Sequence, residues 1–116
     1  MMDLDAAFSE AVGDLHKDVK ILLLCNPCNP TGRIYKRETL EMVVDWCEAH
    51  KIHLVSDEIY ANSIFPGQEM TSIAKVMQDR NPGEEKYMGD FVHVVAGFSK
   101  DFGVSGYRTG TLFTHN

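Results

Sequence analysis

The 116-residue sequence predicts an α/β protein built on a mostly parallel sheet. Two observations support this fold class. Short continuous apolar runs, which are typical of buried strands, alternate with segments whose apolar residues recur at helical spacing. In such a strand–helix–strand order the crossovers are right-handed, and the strands they connect lie parallel in one sheet.

The first half of the chain contains two predicted helices and two predicted strands. An amphipathic helix is predicted over residues 3–16, and the buried strand "VKILLLC" over residues 19–25. A second helix is predicted over residues 36–50, although no good N-cap residue fixes its start. Its apolar stripe consists of Leu40, Val43, Val44 and Cys47. The strand "KIHLVSD" follows at residues 51–57.

The second half continues the alternation. A short helix is predicted over residues 71–79, followed by the polar connection "DRNPGEEKYMGD". The run "FVHVVAGF" predicts a third buried strand over residues 91–98, and "RTGTLFT" predicts a fourth over residues 108–114. We expect residues 1–116 to be part of a single domain.

Composition and charge exclude several classes of protein. The chain carries a net charge of −6, which argues against nucleic acid as a partner, because binding phosphates requires a basic surface. No apolar stretch is long enough to span a bilayer, and the acidic N-terminus does not resemble a secretory signal. Three cysteines, an odd number, favour free thiols in a reducing compartment. We therefore expect a cytoplasmic protein that does not contact membranes.

Three polar segments directly follow predicted strands: "NPCNPTG", "SDEIY" and "GFSKDFG". Because ligands of parallel α/β sheets bind beyond the carboxyl ends of the strands, these segments are expected to meet at one edge and form a site.

Each charged residue at that edge has a functional and a structural interpretation. Asp57 follows a buried strand, where a carboxylate requires a partner. That partner is part of a functional site, or else Asp57 has a structural role in a helix cap or an ion pair. Lys100 is placed for Schiff-base chemistry with a carbonyl cofactor or substrate, or is an ordinary surface lysine. Arg108 follows a Gly/Ser-rich loop and suits bidentate phosphate binding, or is an exposed arginine on a strand.

Three other motifs would indicate different chemistry: thiol redox activity, a kinase magnesium site or a histidine metal site. Cys25 and Cys28 form a C-x-x-C pair, but a further turn follows Cys28 where redox pairs have a helix N-terminus. "DFG" at residues 101–103 matches the kinase magnesium motif without the motifs that precede it in kinases. His50, His53 and His93 are scattered, and none has a partner at metal-ligand spacing in the sequence. We therefore expect no metal site.

The ordered set "NPCNPTG", "SDEIY" and "SKDFGVSGYRTG" resembles the class I/II aminotransferases, which are fold-type I enzymes dependent on pyridoxal 5'-phosphate (PLP). The resemblance covers about residues 15–116. Within the family it is closest to the branch that contains 1-aminocyclopropane-1-carboxylate (ACC) synthase. The resemblance implies that the chain is an interior fragment of the mostly parallel large domain, without the small domain.

The resemblance also implies a role for individual residues. Lys100 would form the Schiff base with the cofactor aldehyde and later move the proton of the substrate Cα. Asp57 would pair with the pyridinium nitrogen, and Arg108 would bind the phosphate. Asn29 and Tyr60 would hydrogen-bond the 3-oxygen of the ring.

Some features of the family are different or missing in this sequence. Many members carry a phosphate-binding serine at the position of Gly97, three residues before the lysine. The upstream glycine-rich phosphate loop, the aromatic residue that stacks on the cofactor and the downstream arginine for the substrate carboxylate have no counterpart here. We therefore expect the isolated chain to be marginally stable or to associate through uncovered sheet edges.

The function expected for the parent enzyme is transamination between α-amino acids and 2-oxo acids, carried out by a homodimer. An ACC-synthase-like lyase is the alternative within the same family. A non-catalytic remnant or binding module, and a thiol redox protein, are the alternatives outside it.

Overall fold

The fold, described from a computed structural model for residues 3–15 and 19–116, centres on a four-stranded sheet. Its strands are β1 (Ile21–Cys25), β2 (His53–Asp57), β3 (Val92–Gly97) and β4 (Gly110–Phe113), adjacent in that order. β1, β2 and β3 are parallel, whereas β4 runs antiparallel to β3. The prediction of a mostly parallel α/β sheet is therefore confirmed.

The described residues include four helices beside the sheet: α1 (Leu4–Leu15), α2 (Arg37–His50), α3 (Ile73–Arg80) and α4 (Phe98–Asp101). The first three match the predicted helices to within two residues at the described ends; the predicted end of the first, residue 16, lies outside the described residues. The sequence did not predict α4, which follows β3 without a loop. A 3₁₀ turn, Ser105–Tyr107, then leads towards β4.

The starts of α3 and α2 differ in their local chemistry. The Ser72 hydroxyl accepts a hydrogen bond from the Ala74 amide at 3.1 Å and thereby caps α3. At the start of α2, Lys36 provides no side-chain cap, as the sequence led us to expect.

The core lies on the face of the sheet that α2 and α3 cover. Strand residues alternate between this face and the opposite one, so that Leu54, Ser56 and Glu58 point inwards. Leu40, Val43, Val44 and Cys47 form the buried stripe of α2, as predicted, and Ile73, Val76 and Met77 form that of α3.

The opposite face, which we call the open face, contains Ile21, Leu23, Val55, Val95 and Leu112. Ile21, Leu23 and Leu112 are 60%, 67% and 64% exposed, respectively. Part of the apolar surface of the sheet is thus in contact with solvent.

The N-terminal helix packs against α2 through an aromatic contact. The rings of Phe8 and Trp46 meet edge to face with centroids 5.5 Å apart, and Trp46 Nε1 donates to Asp5 Oδ1 at 2.7 Å. No helix within the described ranges is long and apolar enough to cross a membrane.

Two of the histidines that look scattered in the sequence meet on the sheet, which corrects that interpretation. His53 Nδ1 and His93 Nε2 are 2.8 Å apart, and His93 Nδ1 lies 2.7 Å from Thr114 Oγ1. The pairing of β2 with β3 brings them together, although forty residues separate them in the chain. The part of the chain that the structure describes contains no group of three or more possible metal ligands.

Candidate cofactor site

The three polar segments meet at the end of the sheet where β1, β2 and β3 terminate, which we call the carboxyl edge. Cys25 and Asp57, the last residues of β1 and β2, pair in register. The amide of Asn26 donates to the Asp57 carbonyl at 2.9 Å, and the amide of Glu58 donates to the Val95 carbonyl at 2.8 Å. These bonds fix the start of the loop after β1 beside the end of β2, and the start of the loop after β2 beside β3.

Asn29 and Tyr60, two of the predicted cofactor residues, are in contact. Asn29 Nδ2 donates to the Tyr60 hydroxyl oxygen at 3.3 Å. The turn that carries Asn29 is closed by a 2.7 Å bond from the Gly32 amide to the Cys28 carbonyl, with Gly32 at a φ of 67°. Both side chains border a cleft of about 220 Å³ between this turn and residues 63–68.

The two adjacent carboxylates of "SDEIY" have different surroundings. Asp57 is half-buried on the same side of the sheet as the open face, and its Oδ1 accepts from the Ile59 amide at 3.1 Å. Its other oxygen has no hydrogen-bond partner among the described residues and can accept from a ligand.

Glu58, in contrast, is buried on the core side. Its Oε1 accepts from the Ser56 hydroxyl at 3.0 Å and from the amide of Ile73, the first residue of α3, at 2.9 Å. The helix-capping interpretation considered for Asp57 therefore applies to Glu58.

Lys100 and Arg108, the two predicted cationic residues, are both exposed. Lys100 lies in α4, and its amine forms no hydrogen bond or ion pair with any residue that the structure describes. Arg108 has a φ of 51°, and its Nη1 donates to the Ser105 carbonyl at 3.1 Å. Neither residue lines the cleft beside Tyr60, and Asp57 does not line it either.

Gly97 occupies a position that is too tight for a side chain. A Cβ atom built there would lie 2.9 Å from Ile59 Cδ1 and 3.2 Å from the Thr109 carbonyl oxygen. The end of the Ile59 side chain can move, but the backbone of Thr109 and Gly110, where β4 begins, constrains the site as well. A serine hydroxyl at this position would thus require local rearrangement, so side-chain anion contacts have to come from other residues.

The C-x-x-C pair lacks the surroundings of a redox site. Cys25 and Cys28 are free and half-buried, and the next helix begins only at Arg37. The Cys25 thiol points to the Pro27 carbonyl at 3.2 Å. Burial raises the pKa of the third cysteine, Cys47, to about 11, which keeps that thiol protonated and unreactive.

Sequence reasoning missed the role of Asp101, which it considered only as part of "DFG". The Asp101 carboxylate accepts three hydrogen bonds from Asn62 and Ser63 in the loop after β2. Its position directly after Lys100 was visible in the sequence, whereas its partners, 38 and 39 residues away, were not.

Comparison with known proteins gives the same family as the motifs. Residues 1–116 match the family model described as aminotransferase class I and II. ACC synthase 2 of Oryza sativa subsp. japonica is 44% identical over 98 residues, which cover 84% of this chain and 20% of the relative. ACC synthase 7 of Arabidopsis thaliana is 38% identical over 113 residues, which cover 97% and 24%, respectively.

Solved structures show the same architecture. Cystalysin from Treponema denticola, whose crystal structure contains pyridoxal 5'-phosphate, superposes with a TM-score of 0.72 at 29% identity. The superposition covers 94% of this chain and 26% of cystalysin. The chain thus spans about a fifth to a quarter of the length of these relatives. The motifs, the fold and the sequence similarity agree that the chain belongs to the class I and II aminotransferase family, in its ACC-synthase-like branch.

Proposed function

We propose that this chain is the PLP-binding part of an enzyme that acts on α-amino acids, with Lys100 as the residue that bonds covalently to the cofactor. The observation that carries the proposal is the arrangement at the carboxyl edge. Asn29 contacts Tyr60 there, β2 ends at Asp57, and β3 leads directly into α4, which contains Lys100. The relatives support the cofactor, since cystalysin is a structure with bound PLP.

The side chains at the carboxyl edge have the chemistry that PLP requires. The Lys100 amine and one oxygen of Asp57 have no partner among the described residues, so neither must break a bond to bind a ligand. When bound, PLP supplies an aldehyde for an amine and a ring that accepts electrons from the substrate. Because Gly97 has no side chain, Arg108 and backbone amides are the groups that we propose for the phosphate.

The proposed roles follow from the donor and acceptor character of each group. The Asp57 carboxylate accepts from the protonated ring nitrogen, and Asn29 and Tyr60 orient donors towards the 3-oxygen of the ring. Arg108 binds the phosphate through its planar guanidinium group. The Lys100 amine would take the proton from the substrate Cα and return it.

Transamination of an α-amino acid with a 2-oxo acid is the reaction that we propose for the parent enzyme. An ACC-synthase-like lyase is the second candidate, and the ACC synthases at 44% and 38% identity favour it. Both reactions begin with loss of the Cα proton, so they make the same use of Lys100 and Asp57. That the parent enzyme forms a homodimer is a prediction from the family resemblance.

The proposal is tested by covalent trapping. After incubation with PLP and reduction with borohydride, mass spectrometry should locate a stable adduct on the peptide that contains Lys100. Lys100→Ala should remove both the adduct and the visible absorbance, whereas Lys86→Ala, at another exposed lysine, should leave them unchanged.

Persistence of the adduct and absorbance in Lys100→Ala would contradict the assignment of Lys100. A chain that forms no adduct would instead support the non-catalytic alternative. A thiol redox protein would lose dithiol activity on Cys25→Ser and would be indifferent to Lys100→Ala.

A further inference from the structure

The Asp101 carboxylate fastens two loops at the carboxyl edge to each other. Its Oδ2 accepts from the backbone amide and from the side-chain amide of Asn62, both at 3.0 Å. Its Oδ1 accepts from the Ser63 hydroxyl at 2.5 Å. Bonds of this kind, in which the acceptor is ionised, are shorter and stronger than those between neutral groups.

The two segments joined in this way carry two of the proposed cofactor residues. Asp101 directly follows Lys100 in α4, and Asn62 follows Tyr60 by two residues. Tyr60 in turn contacts Asn29 of the β1 loop through its hydroxyl group. The contacts of Asp101 and Tyr60 therefore link all three loops of the carboxyl edge.

The bridge matters because the other side-chain hydrogen bond to α4 among the described residues comes from the segment that follows it, where the Ser105 hydroxyl donates to the Ser99 carbonyl at 3.0 Å. α4 has four residues and no buried side chain, and Gly97 at its N-cap provides no side-chain hydrogen bond. A helix this short is not stable on its own. The three bonds to Asp101 are contacts that tie α4 to the loop after β2.

We infer that Asp101 is a positioning residue that holds the Lys100 amine in register with the Tyr60 hydroxyl. This inference rests on the proposed function, since it assumes that both groups act on one PLP molecule. Asp101 itself binds neither cofactor nor substrate. It acts by fixing segment 60–63 against α4. Lys100 can then reach the cofactor aldehyde while Tyr60 contacts the 3-oxygen of the ring.

The test uses the full chain and two readouts. The first needs no cofactor: amide hydrogen exchange at Asn62, whose N–H donates to Asp101, should be about tenfold faster in Asp101→Ala. The second is the rate at which the borohydride-stable PLP adduct forms on Lys100. That rate should fall about tenfold in Asp101→Ala, because small displacements from the productive geometry slow reactions by this much or more.

Asp101→Asn is the conservative variant. Its Oδ1 can still accept from the Asn62 amide, and its Nδ2 can donate to the Ser63 hydroxyl oxygen. We expect Asp101→Asn to keep both the exchange rate at Asn62 and the rate of adduct formation close to those of the unmodified chain. Glu85→Ala is the matched control, because it removes one negative charge from an exposed side chain with no hydrogen bond or ion pair to a described residue. It should behave like the unmodified chain in both measurements.

Several results would overturn the inference. Unchanged exchange at Asn62 in Asp101→Ala would mean that the bridge does not form in solution. Faster exchange with an unchanged rate of adduct formation would reduce Asp101 to a structural role. If Asp101→Ala does not fold, Ser63→Ala removes one of the three donors instead. A slower rate of adduct formation in Ser63→Ala, with a full rate in Asp101→Asn, would then support the bridge, whereas an unchanged rate in Ser63→Ala would contradict it.

Failure of the proposed function gives a different pattern. An adduct that survives Lys100→Ala, or an unmodified chain that forms none, contradicts the cofactor assignment and the positioning role with it. If Lys100→Ala abolishes the adduct while Asp101→Ala is indistinguishable from the unmodified chain, the positioning role alone is wrong.

Discussion

At the scale of single residues, the turn "NPCNPTG" contains two side chains that border the same cleft and should differ in function. Asn29 donates from its carboxamide to the Tyr60 hydroxyl oxygen, whereas the Cys28 thiol has only a long contact of 3.8 Å to the Asn29 carbonyl. If the Asn29 carboxamide and the Tyr60 hydroxyl both act on the 3-oxygen of the cofactor ring, removing the carboxamide should change the pKa of the Lys100 adduct. Removing the Cys28 thiol should not.

Asn29→Ala should therefore raise the pH midpoint of the visible absorbance of the PLP-loaded chain. A donor to the ring oxygen favours the deprotonated adduct, so its loss shifts the midpoint upwards by on the order of one pH unit. Spectra recorded across a pH titration measure the shift. Cys28→Ala is the matched control, and equal midpoints in both variants would mean that Asn29 does not contact the cofactor.

The carboxylates of residues 57 and 58 show how far the sequence leads at this scale. Side chains alternate along β2, and the apolar Leu54 marks the face to which residues 56 and 58 also belong. This alternation separates Glu58, in the core, from Asp57, on the opposite side, but we did not predict that difference from the sequence. The partner of Glu58 at the start of α3 depends on the packing of that helix, which no local pattern encodes.

At the scale of secondary-structure elements, the predicted helices and strands were confirmed because their periodicity is strong and their ends are marked by turn residues. The helical turn around Lys100 was missed because "FSKD" is too short to show a period. The contact between His53 and His93 was missed for another reason. It depends on the register between β2 and β3, which aligns Val55 with His93 and leaves His53 diagonally adjacent.

This histidine pair predicts a pH-dependent stability. Partial burial lowers the pKa of His93 from its usual range, and the neighbouring His53 lowers it further. As the pH falls through about 6.5, the unfolded chain therefore takes up its proton before the folded chain does. The contribution of His93 to the free energy of unfolding is complete above this pH and decreases below it.

The measurement is the thermal unfolding midpoint between about pH 7.5 and pH 5.5, where ordinary carboxylates stay ionised. The midpoint should fall as the pH is lowered, and His93→Gln should reduce that fall. His50→Gln is the control, because His50 is exposed and bonds to the Trp46 carbonyl rather than to another histidine. An identical pH dependence in both variants would exclude His93 as its source.

At the scale of the whole molecule, the sheet is covered on one face only in the part of the chain that the structure describes. α2 and α3 bury the inner face, whereas Leu23 and Leu112 on the open face are 67% and 64% exposed. Apolar side chains so exposed on a sheet favour contact with a second surface. β1 and β4 are also edge strands with unpaired backbone groups.

The isolated chain should therefore self-associate through the open face. Sedimentation velocity over a range of protein concentrations should show a rising average mass, and the thermal midpoint should rise with concentration because association stabilises the folded state. Leu23→Lys should weaken this association, since it introduces a charge at the centre of the exposed strand β1. Met42→Lys is the control, because Met42 is also exposed, at 39%, but lies on α2. A monomer at every concentration, with one sharp and concentration-independent unfolding transition, would show that the uncovered sheet is stable without a second surface.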